Sequence, residues 1–159
     1  MIPPSGPSLR PASASDAPAL AALSGQLGYP ATAEELGARL RAILERAEEL
    51  VLVAAGPDGT VIGWAHAAEQ RFLGSAPCCE LLGLVVDREW RRHGVGRALV
   101  AAMEEWARAR GLTRMSVRSN VARGESHPFY EGIGYARAKT QHVYRKPLPP
   151  SGAGRPTPP

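Results

Sequence analysis

A short turn rich in arginine and glycine is the part of the sequence with the clearest capacity for chemistry. It reads Arg91-Arg92-His93-Gly94-Val95-Gly96 and lies between a predicted buried strand and a predicted long helix. The first turn of a helix has backbone N–H groups without intrahelical partners and roughly half a positive charge. Gly94 and Gly96 have no Cβ, so an anion can approach the backbone there. The turn is therefore predicted to bind a phosphate-bearing ligand.

The charge around this turn favours the same chemistry, whereas the glycine spacing excludes two common phosphate motifs. Residues 88–97 contain four arginines and one glutamate. A P-loop requires a glycine followed by lysine and then serine or threonine, and that sequence is absent. A dinucleotide fingerprint requires a third glycine where Leu99 stands. A purely structural alternative stays open, because glycine also serves tight strand-to-helix turns that bind nothing.

The hydrophobic pattern predicts the elements that position this turn. Strands are predicted at about 50–55, 61–70, 79–86 and 115–117, with a hairpin turn at 56–59. Helices are predicted at about 15–27, 32–48, 95–110 and 126–131. Thr32 and Glu35 form a capping box for the second helix. The alternating stretch from Tyr135 to Tyr144 is predicted to form a last hairpin. Together these elements indicate a mixed α/β domain.

Composition and charge limit the class of protein. The 159 residues are 44% hydrophobic and 21% charged, which is typical of one packed domain. The net charge of +4 is dispersed and aromatic residues are only 6%, so a nucleic-acid-binding domain is disfavoured. Cys78 and Cys79 are adjacent, and four scattered histidines show no metal-ligand spacing. Signal-peptide and membrane-span patterns are absent. We expect a cytoplasmic protein with no metal, no nucleic-acid partner and no membrane association.

The turn and a second motif downstream together resemble the GNAT superfamily of acyl-CoA-dependent N-acyltransferases. The family signature R/Q-x-x-G-x-G/A is similar to residues 91–96. The pattern N-x-x-R-x-x-A-H-x-F-Y-x-x-x-G-F/Y is similar to residues 120–135, with Ser126 in place of the usual alanine. Leu9–Ala12 resembles the first strand. The resemblance covers residues 8–146, which are expected to form the acetyltransferase domain. Residues 1–7 are expected to be a flexible N-terminus, and residues 147–159 a proline-rich disordered tail.

The resemblance implies both a fold and a cosubstrate. The fold is a GNAT-like α/β domain with a mixed, mostly antiparallel sheet of about seven strands, and with four helices. Acetyl-CoA would lie between two splayed parallel strands, here near Leu82–Val86 and Met115–Arg118. The first of these strands and Asn120 would hold the pantetheine arm, and residues 92–98 would hold the pyrophosphate. The implied cofactor-binding residues are Leu84, Val85, Val86, Arg91, Arg92, His93, Gly94, Val95, Gly96, Arg97, Ala98 and Asn120.

The implied reaction is acetyl transfer to a primary amine of a small molecule or peptide, by direct attack in a ternary complex. Glu80 is the candidate general base, because it occupies the position of the catalytic glutamate of related enzymes; an exposed strand-end charge is the alternative interpretation. Tyr130, the second aromatic of the Phe-Tyr pair, is the candidate acid for the departing thiolate. His66 and Glu69 are reserve bases. They are three residues apart on one strand, so at most one of them reaches the site.

Further expectations depend on the same resemblance. A β-bulge near Gly83 or Leu84 would leave a backbone N–H for the oxyanion. The acceptor would be selected by residues 20–48 and 135–144, and its identity is not readable from the sequence. A homodimer is possible. A GNAT-like module that binds acyl-CoA without turnover is the alternative function, and it would lack a usable base and acid.

Overall fold

A computed structural model describes residues 6–152, which contain one five-stranded sheet and four α-helices. The strands are β1 (Ser8–Pro11), β2 (Glu49–Ala55), β3 (Val61–Gln70), β4 (Cys78–Val86) and β5 (Met115–Val117). The helices are α1 (Ala17–Gln26), α2 (Ala33–Leu44), α3 (Val95–Ala109) and α4 (Ser126–Gly132), and 3-10 turns cover Ala14–Asp16 and Arg88–Trp90. The chain divides into two compact units, with the boundary between Arg123 and Gly124. α4 belongs to the second unit and all other elements belong to the first.

The strands lie in the sheet in the order in which they occur along the chain. β1, β2, β3 and β4 pair successively in antiparallel fashion. β5 pairs with β4 in parallel, and a parallel neighbour requires a long crossover, which α3 provides. The expectation of a mixed, mostly antiparallel sheet with one parallel pair is therefore confirmed.

The expected count of about seven strands is not confirmed, because the hairpin predicted at residues 135–144 is not formed. In the described part of the chain, no strand follows β5, and residues 136–150 are exposed throughout. The alternation in this stretch places Ala136 and Ala138 on one face, with Arg137 and Lys139 on the other. Two alanines bury little apolar area, and the charged side chains stay solvated, so burial favours strand pairing only weakly here.

α3 covers one face of the sheet with the apolar stripe that its sequence predicts. Leu99 and Met103 are fully buried, and burying such a side chain contributes roughly 1.5–3 kcal/mol. Gly63 on β3 permits this close packing. A Cβ at that position would lie 3.2 Å from Cγ1 of Val95 and 3.0 Å from the Val85 carbonyl oxygen. The helix that starts at the arginine- and glycine-rich turn is thus held firmly on the sheet.

α1 and α2 cover the opposite face. Their buried residues share a cluster with Val51 and Val53 of β2, and Trp64 of β3 packs against it. The predicted capping box of α2 is confirmed, since the Thr32 side chain accepts from the Glu35 N–H at 3.1 Å while the Glu35 carboxylate accepts from the Thr32 N–H at 3.0 Å. Both faces of the central strands are therefore buried, which leaves the strand ends and edges for binding.

The helix predicted from about residue 15 begins, as α1, at Ala17 after the 3-10 turn Ala14–Asp16. Asp16 is its N-cap residue, yet its side chain makes no capping bond. The carboxylate instead accepts two bonds of 2.8 Å from the Arg10 guanidinium and one from the Ser13 N–H. Chiefly through the hydrogen bonds from Arg10, the pKa of Asp16 falls to about 2. This pair joins β1 to the first helix.

Most of the segments expected to be flexible or disordered, 1–7 and 147–159, lie outside the described residues, and those expectations stay predictions. Within residues 6–152, none of the helices has the length and apolarity that a membrane crossing requires.

Candidate active site

β4 and β5 are joined over only three residue pairs, which leaves much of β4 with an open edge. The pairs are Cys79–Met115, Glu80–Ser116 and Leu81–Val117. β4 continues to Val86, whereas β5 ends at Val117. We call the opening between residues 82–86 and residues 118–120 the fork. Its open strand edge presents N–H and C=O groups to which an extended ligand can bind as an added strand.

A β-bulge lies where β4 enters the fork. On β3, His66 pairs with Gly83 and Ala67 pairs with Leu81, so Leu82 is left without a partner. The bulge is therefore one residue earlier than the position near Gly83 or Leu84 that the sequence indicated. An extra residue on one strand disrupts the ladder locally and re-aims the backbone beyond it.

The backbone of β4 beyond the bulge faces the fork at alternate residues. The Asp87 N–H donates to the Ile62 carbonyl oxygen of β3 at 2.8 Å. Backbone groups alternate in direction along a strand, so those of Val85 also point toward β3. Those of Leu84 and Val86 point the other way, into the fork. Both residues belong to the strand segment that was expected to hold the pantetheine arm.

The turn before α3 presents unbonded amides, as the sequence predicted. Gly94 is the N-cap residue with a φ of 79°, and Arg92 also has a positive φ, of 64°. The N–H groups of residues 95–97 make no hydrogen bond within the described chain. The Ala98 N–H, in contrast, donates to the Gly94 carbonyl at 3.0 Å as the first bond of the helix. The amides open to an anion are thus those at 95–97, and Ala98 lies beside them.

Side chains of the turn tie it to the end of β4. Arg91 Nε donates to the Val86 carbonyl at 3.4 Å. His93 Nδ1 lies 2.9 Å from the Arg91 carbonyl oxygen, and its ring packs edge-on against Trp90 with centroids 5.9 Å apart. The side chains of Arg92 and Arg97, both exposed residues, make no hydrogen bond in the described chain. The turn is thereby held in place, and the guanidinium groups of Arg92 and Arg97 are left available to a ligand.

Asn120 lies on the other side of the fork, in a turn of its own. Its Oδ1 accepts from the Ala122 N–H at 2.9 Å, and its carbonyl accepts from the Arg123 N–H at 2.9 Å. Arg123 in turn lies over the Tyr29 ring, 5.2 Å from the centroid. The segment that follows β5 is thus joined to the loop between α1 and α2.

Three residues that the sequence analysis did not single out also belong to this region. Trp64 Nε1 and Ser119 Oγ are buried and have no hydrogen-bond partner in the described chain. Trp64 covers Gly83, where a Cβ would lie 2.7 Å from its ring. Gln26, at the end of α1, bonds Asp87 through its Nε2 and the Arg88 N–H through its Oε1. Buried polar atoms without partners are rare and are expected near ligand sites, but their spacing in the sequence gives no such signal.

Glu80 lies at the closed end of the fork, opposite Ser116 on β5. It is a buried residue in the interior of β4 and not an exposed strand-end charge. Arg118 Nε lies 3.1 Å from Glu80 Oε1; the Glu80 side chain is 10% exposed and that of Arg118 is 74% exposed. The candidate base is therefore present at the closed end of the fork, paired with an arginine.

The two reserve bases lie on opposite faces of β3, as their spacing predicted. His66 Nε2 is 2.7 Å from Glu49 Oε2, on the face that α1 and α2 cover. Glu69 accepts two bonds from the Arg110 side chain, which follows α3, and it also pairs with Arg71. Glu69 is committed to this charged cluster at the far end of the sheet, so only His66 shares a face with Glu80.

Tyr130 lies on α4, in the second unit. α4 begins at Ser126, as expected, and Pro128 falls in its first turn, where proline is tolerated. The Tyr130 ring packs edge-on against Phe129 and Tyr135, with centroids 5.1 and 5.9 Å apart. The side chain is thus held by two aromatic neighbours and is half-buried.

Cysteine and metal chemistry have no support in the described residues. Cys78 and Cys79 are buried free thiols. Burial raises the pKa of Cys79 to about 11, with the neighbouring Cys78 adding to the effect. A thiol with such a pKa is protonated at neutral pH and is a poor nucleophile. Within residues 6–152, no cluster of three or more His, Cys, Asp or Glu side chains is placed to hold a metal ion.

Comparison with known proteins identifies the family. Residues 19–135 match the model of the acetyltransferase (GNAT) family. The chain belongs to this family. An aminoglycoside N(6')-acetyltransferase type 1 of Stenotrophomonas maltophilia is 32% identical over 151 residues, which are 92% of this chain and 97% of that protein. Its counterpart in Klebsiella aerogenes is 30% identical over 91% of this chain and 99% of that protein. This GNAT protein also shares the fold of the structure of AAC(6')-Iy in complex with a CoA-based bisubstrate analogue, with a TM-score of 0.79 at 24% identity over 91% of this chain and all of that one.

The chain is accordingly an acetyltransferase that uses acetyl-CoA and transfers its acetyl group to an amine. The residues present fit this cosubstrate. An extended arm with amide groups would face the outward backbone of Leu84 and Val86, and a pyrophosphate would face the open amides of residues 95–97. Gly94 has open space where a Cβ would stand, so the phosphates can approach the backbone.

Proposed function

We propose that this GNAT enzyme acetylates a primary amine of a small molecule, with acetyl-CoA held by the fork and by the turn before α3. The observation that carries the proposal is the continuity, along one chain segment, of backbone groups that face the fork and the helix start. The outward groups of Leu84 and Val86 are followed, within one chain segment, by the open amides at 95–97. An acyl-CoA has the same order of chemical features, with an amide-bearing arm and then a pyrophosphate.

The proposed cosubstrate contacts divide between backbone and charge. Val85 holds β4 in the sheet so that its two neighbours face the fork, and Asn120 borders the pantetheine arm from the other side. Gly94, Val95 and Gly96 supply the close approach at the helix start. The charged or proton-bearing side chains around the phosphates are Arg91, Arg92, His93 and Arg97, with Ala98 completing the first helical turn.

The proposed reaction requires a neutral amine. An alkyl ammonium has a reference pKa near 10.4, so its deprotonation at pH 7 costs about 4.6 kcal/mol. Glu80, directly or through water, accepts the proton that the amine loses, and such a base contributes typically ~10²–10⁴-fold in rate. Attack on the thioester carbonyl forms the C–N bond, and cleavage of the C–S bond follows. Tyr130 then donates a proton to the departing thiolate.

The bulge at Leu82 supports a role for the nearby β4 backbone in stabilising the oxyanion. A bulge leaves one residue outside the regular ladder, and this one lies between Glu80 and the backbone groups that face the fork. One backbone N–H aimed at the developing oxyanion is worth about 2.7–4 kcal/mol. We therefore assign oxyanion stabilisation to the β4 backbone near Leu82.

The acceptor is proposed to be a small molecule, because both relatives named above act on aminoglycosides and align over nearly their whole length. An aminoglycoside is accordingly the first acceptor to test. Peptide amines form the second class of acceptor to test. We propose that the acceptor side is lined by residues 20–48 and 135–144, and their sequence does not favour small molecules over peptides.

The test is a screen of amine acceptors with acetyl-CoA. Turnover is measured as the release of free thiol, and the acetylated product is identified by its mass. We expect turnover with at least one small primary amine. Initial rates with both substrates varied should give intersecting lines, because direct attack in a ternary complex has no acetyl-enzyme intermediate. Parallel lines would contradict direct attack.

A non-catalytic acyl-CoA-binding module is the second candidate function. The observation in its favour is that Arg118 already pairs with the carboxylate of Glu80. Tight acetyl-CoA binding by calorimetry, together with no thiol release from any amine class, would establish this function in place of the enzyme.

A further inference from the structure

The carboxylate of Glu80, the candidate base, is paired with the guanidinium group of Arg118. Arg118 follows the last paired residue of β5 and thus stands where the fork opens. Its Nε forms an ion pair with Glu80 Oε1 at 3.1 Å. The Arg118 side chain is 74% exposed, so its planar guanidinium is accessible to incoming ligands. Guanidinium edges of this kind bind carboxylates through two parallel hydrogen bonds.

The rest of this sheet face is also balanced in charge. Glu49, Ala68, Glu80 and Ser116 stand opposite one another across β2 to β5, so their side chains share a face. Glu49 is paired with Arg46 Nε at 3.0 Å and with His66. Each carboxylate on the face therefore has a basic partner. An acceptor with several positive charges gains no net attraction from such a surface.

The whole chain carries a net positive charge of +4. A field of this sign draws anionic groups and disfavours polycations.

We infer that the acceptor is an amine that bears a carboxylate a few bonds away, as in an amino acid. The carboxylate binds the Nη edge of Arg118, and the amine is thereby placed at Glu80. This inference rests on the proposed function and defines its acceptor more narrowly. It also predicts an acceptor that differs from the aminoglycosides of the relatives, because aminoglycosides are polycations without a carboxylate.

The inference is tested with matched acceptors, namely a set of L-amino acids and the corresponding carboxamides, together with kanamycin as a polycation. Each amide keeps the amine and the side chain and removes only the negative charge. We expect kcat/KM for the acids to exceed that for their amides by roughly tenfold or more. Higher kcat/KM for the amides or for kanamycin would overturn the inference while leaving acetyl transfer intact.

Variants of Arg118 link any preference to this residue. Arg118→Gln should reduce the acid-to-amide ratio to near one, and Arg118→Lys should restore part of it, because lysine keeps the charge without the planar edge. Arg114→Gln is the matched control, since Arg114 is exposed just before β5 and its side chain makes no bond in the described chain. An unchanged ratio in Arg118→Gln would refute the inference. Absence of turnover with every amine would instead refute the proposed function.

Discussion

Gly94 and Gly111 lie beyond opposite ends of α3 and have nearly the same left-handed backbone, with φ of 79° and 76°. A Cβ added at either position meets nothing within 4 Å. They differ in what surrounds them, because Gly94 adjoins the open amides and arginines of the proposed phosphate site, whereas Gly111 follows the C-terminal end of the helix. The two glycines therefore form a pair in which backbone strain and ligand binding can be separated.

Gly94→Glu is expected to abolish acetyl-CoA binding, measured by calorimetry. The carboxylate would occupy the anion site and oppose the phosphates. Placing any L-residue at this φ costs roughly 1–2 kcal/mol of stability, and Gly111→Glu has the same cost without the anion site. We expect Gly111→Glu to retain the parental dissociation constant. Equal loss of binding in both variants would attribute the effect to strain and contradict the assignment.

Tyr130→Phe is expected to lower kcat by roughly 10²-fold with little change in acetyl-CoA affinity, because the hydroxyl acts on the departing thiolate and not on the bound cosubstrate. The defect should shrink with an acyl donor whose thiol is more acidic, since that leaving group needs less help from an acid. Steady-state kinetics with two donors provide the measurement. A defect of the same size for both donors would indicate a structural role for the ring.

Glu80→Gln is expected to lower the rate at neutral pH and to make the rate rise more steeply toward high pH. Without the carboxylate, the reaction depends on the fraction of acceptor that is already deprotonated in solution, and that fraction grows with pH. The profile of kcat/KM against pH is the measurement. Glu105→Gln, at an exposed position of α3, is the control. A profile that matches the parent would place the base elsewhere, with His66 as the next group to test.

Asp16→Asn is expected to reduce the free energy of unfolding by about 1–2 kcal/mol at pH 7. This range allows for the weakening of the ion pair by solvent, because the Arg10 side chain is half-exposed. The folded-state pKa of Asp16 is about 2, below its ordinary value of 3.8. The stabilisation is therefore complete above about pH 4 and is lost as the pH falls toward 2. Urea unfolding of parent and variant at several pH values should show the difference shrinking over that range.

A double-mutant cycle with Arg10→Gln tests whether that stability comes from the ion pair. Because each single change already removes the pair, the double variant should be less destabilised than the sum of the two. Additive effects would contradict the assigned contribution of the Arg10–Asp16 contact.

The sequence alone determined the features that depend on local physics. The apolar stripe of α3, the Thr32–Glu35 capping box and the glycine turn with its open amides all follow from residue types at short spacing, and the structure contains each of them. The position of α4 at Ser126 and the opposite faces of His66 and Glu69 were predicted for the same reason.

Only the tertiary structure decided the features that depend on partners distant in the chain. The bulge falls at Leu82 and not at Gly83, because register is set by pairing with β3. The pairing of Glu80 with Arg118 joins β4 to the residue that follows β5, across a whole intervening helix, and no pattern along the chain predicts it. The alternation at 135–144 suggested a hairpin that is absent, since alternation is necessary for a half-buried strand but does not supply a neighbouring edge with which to pair.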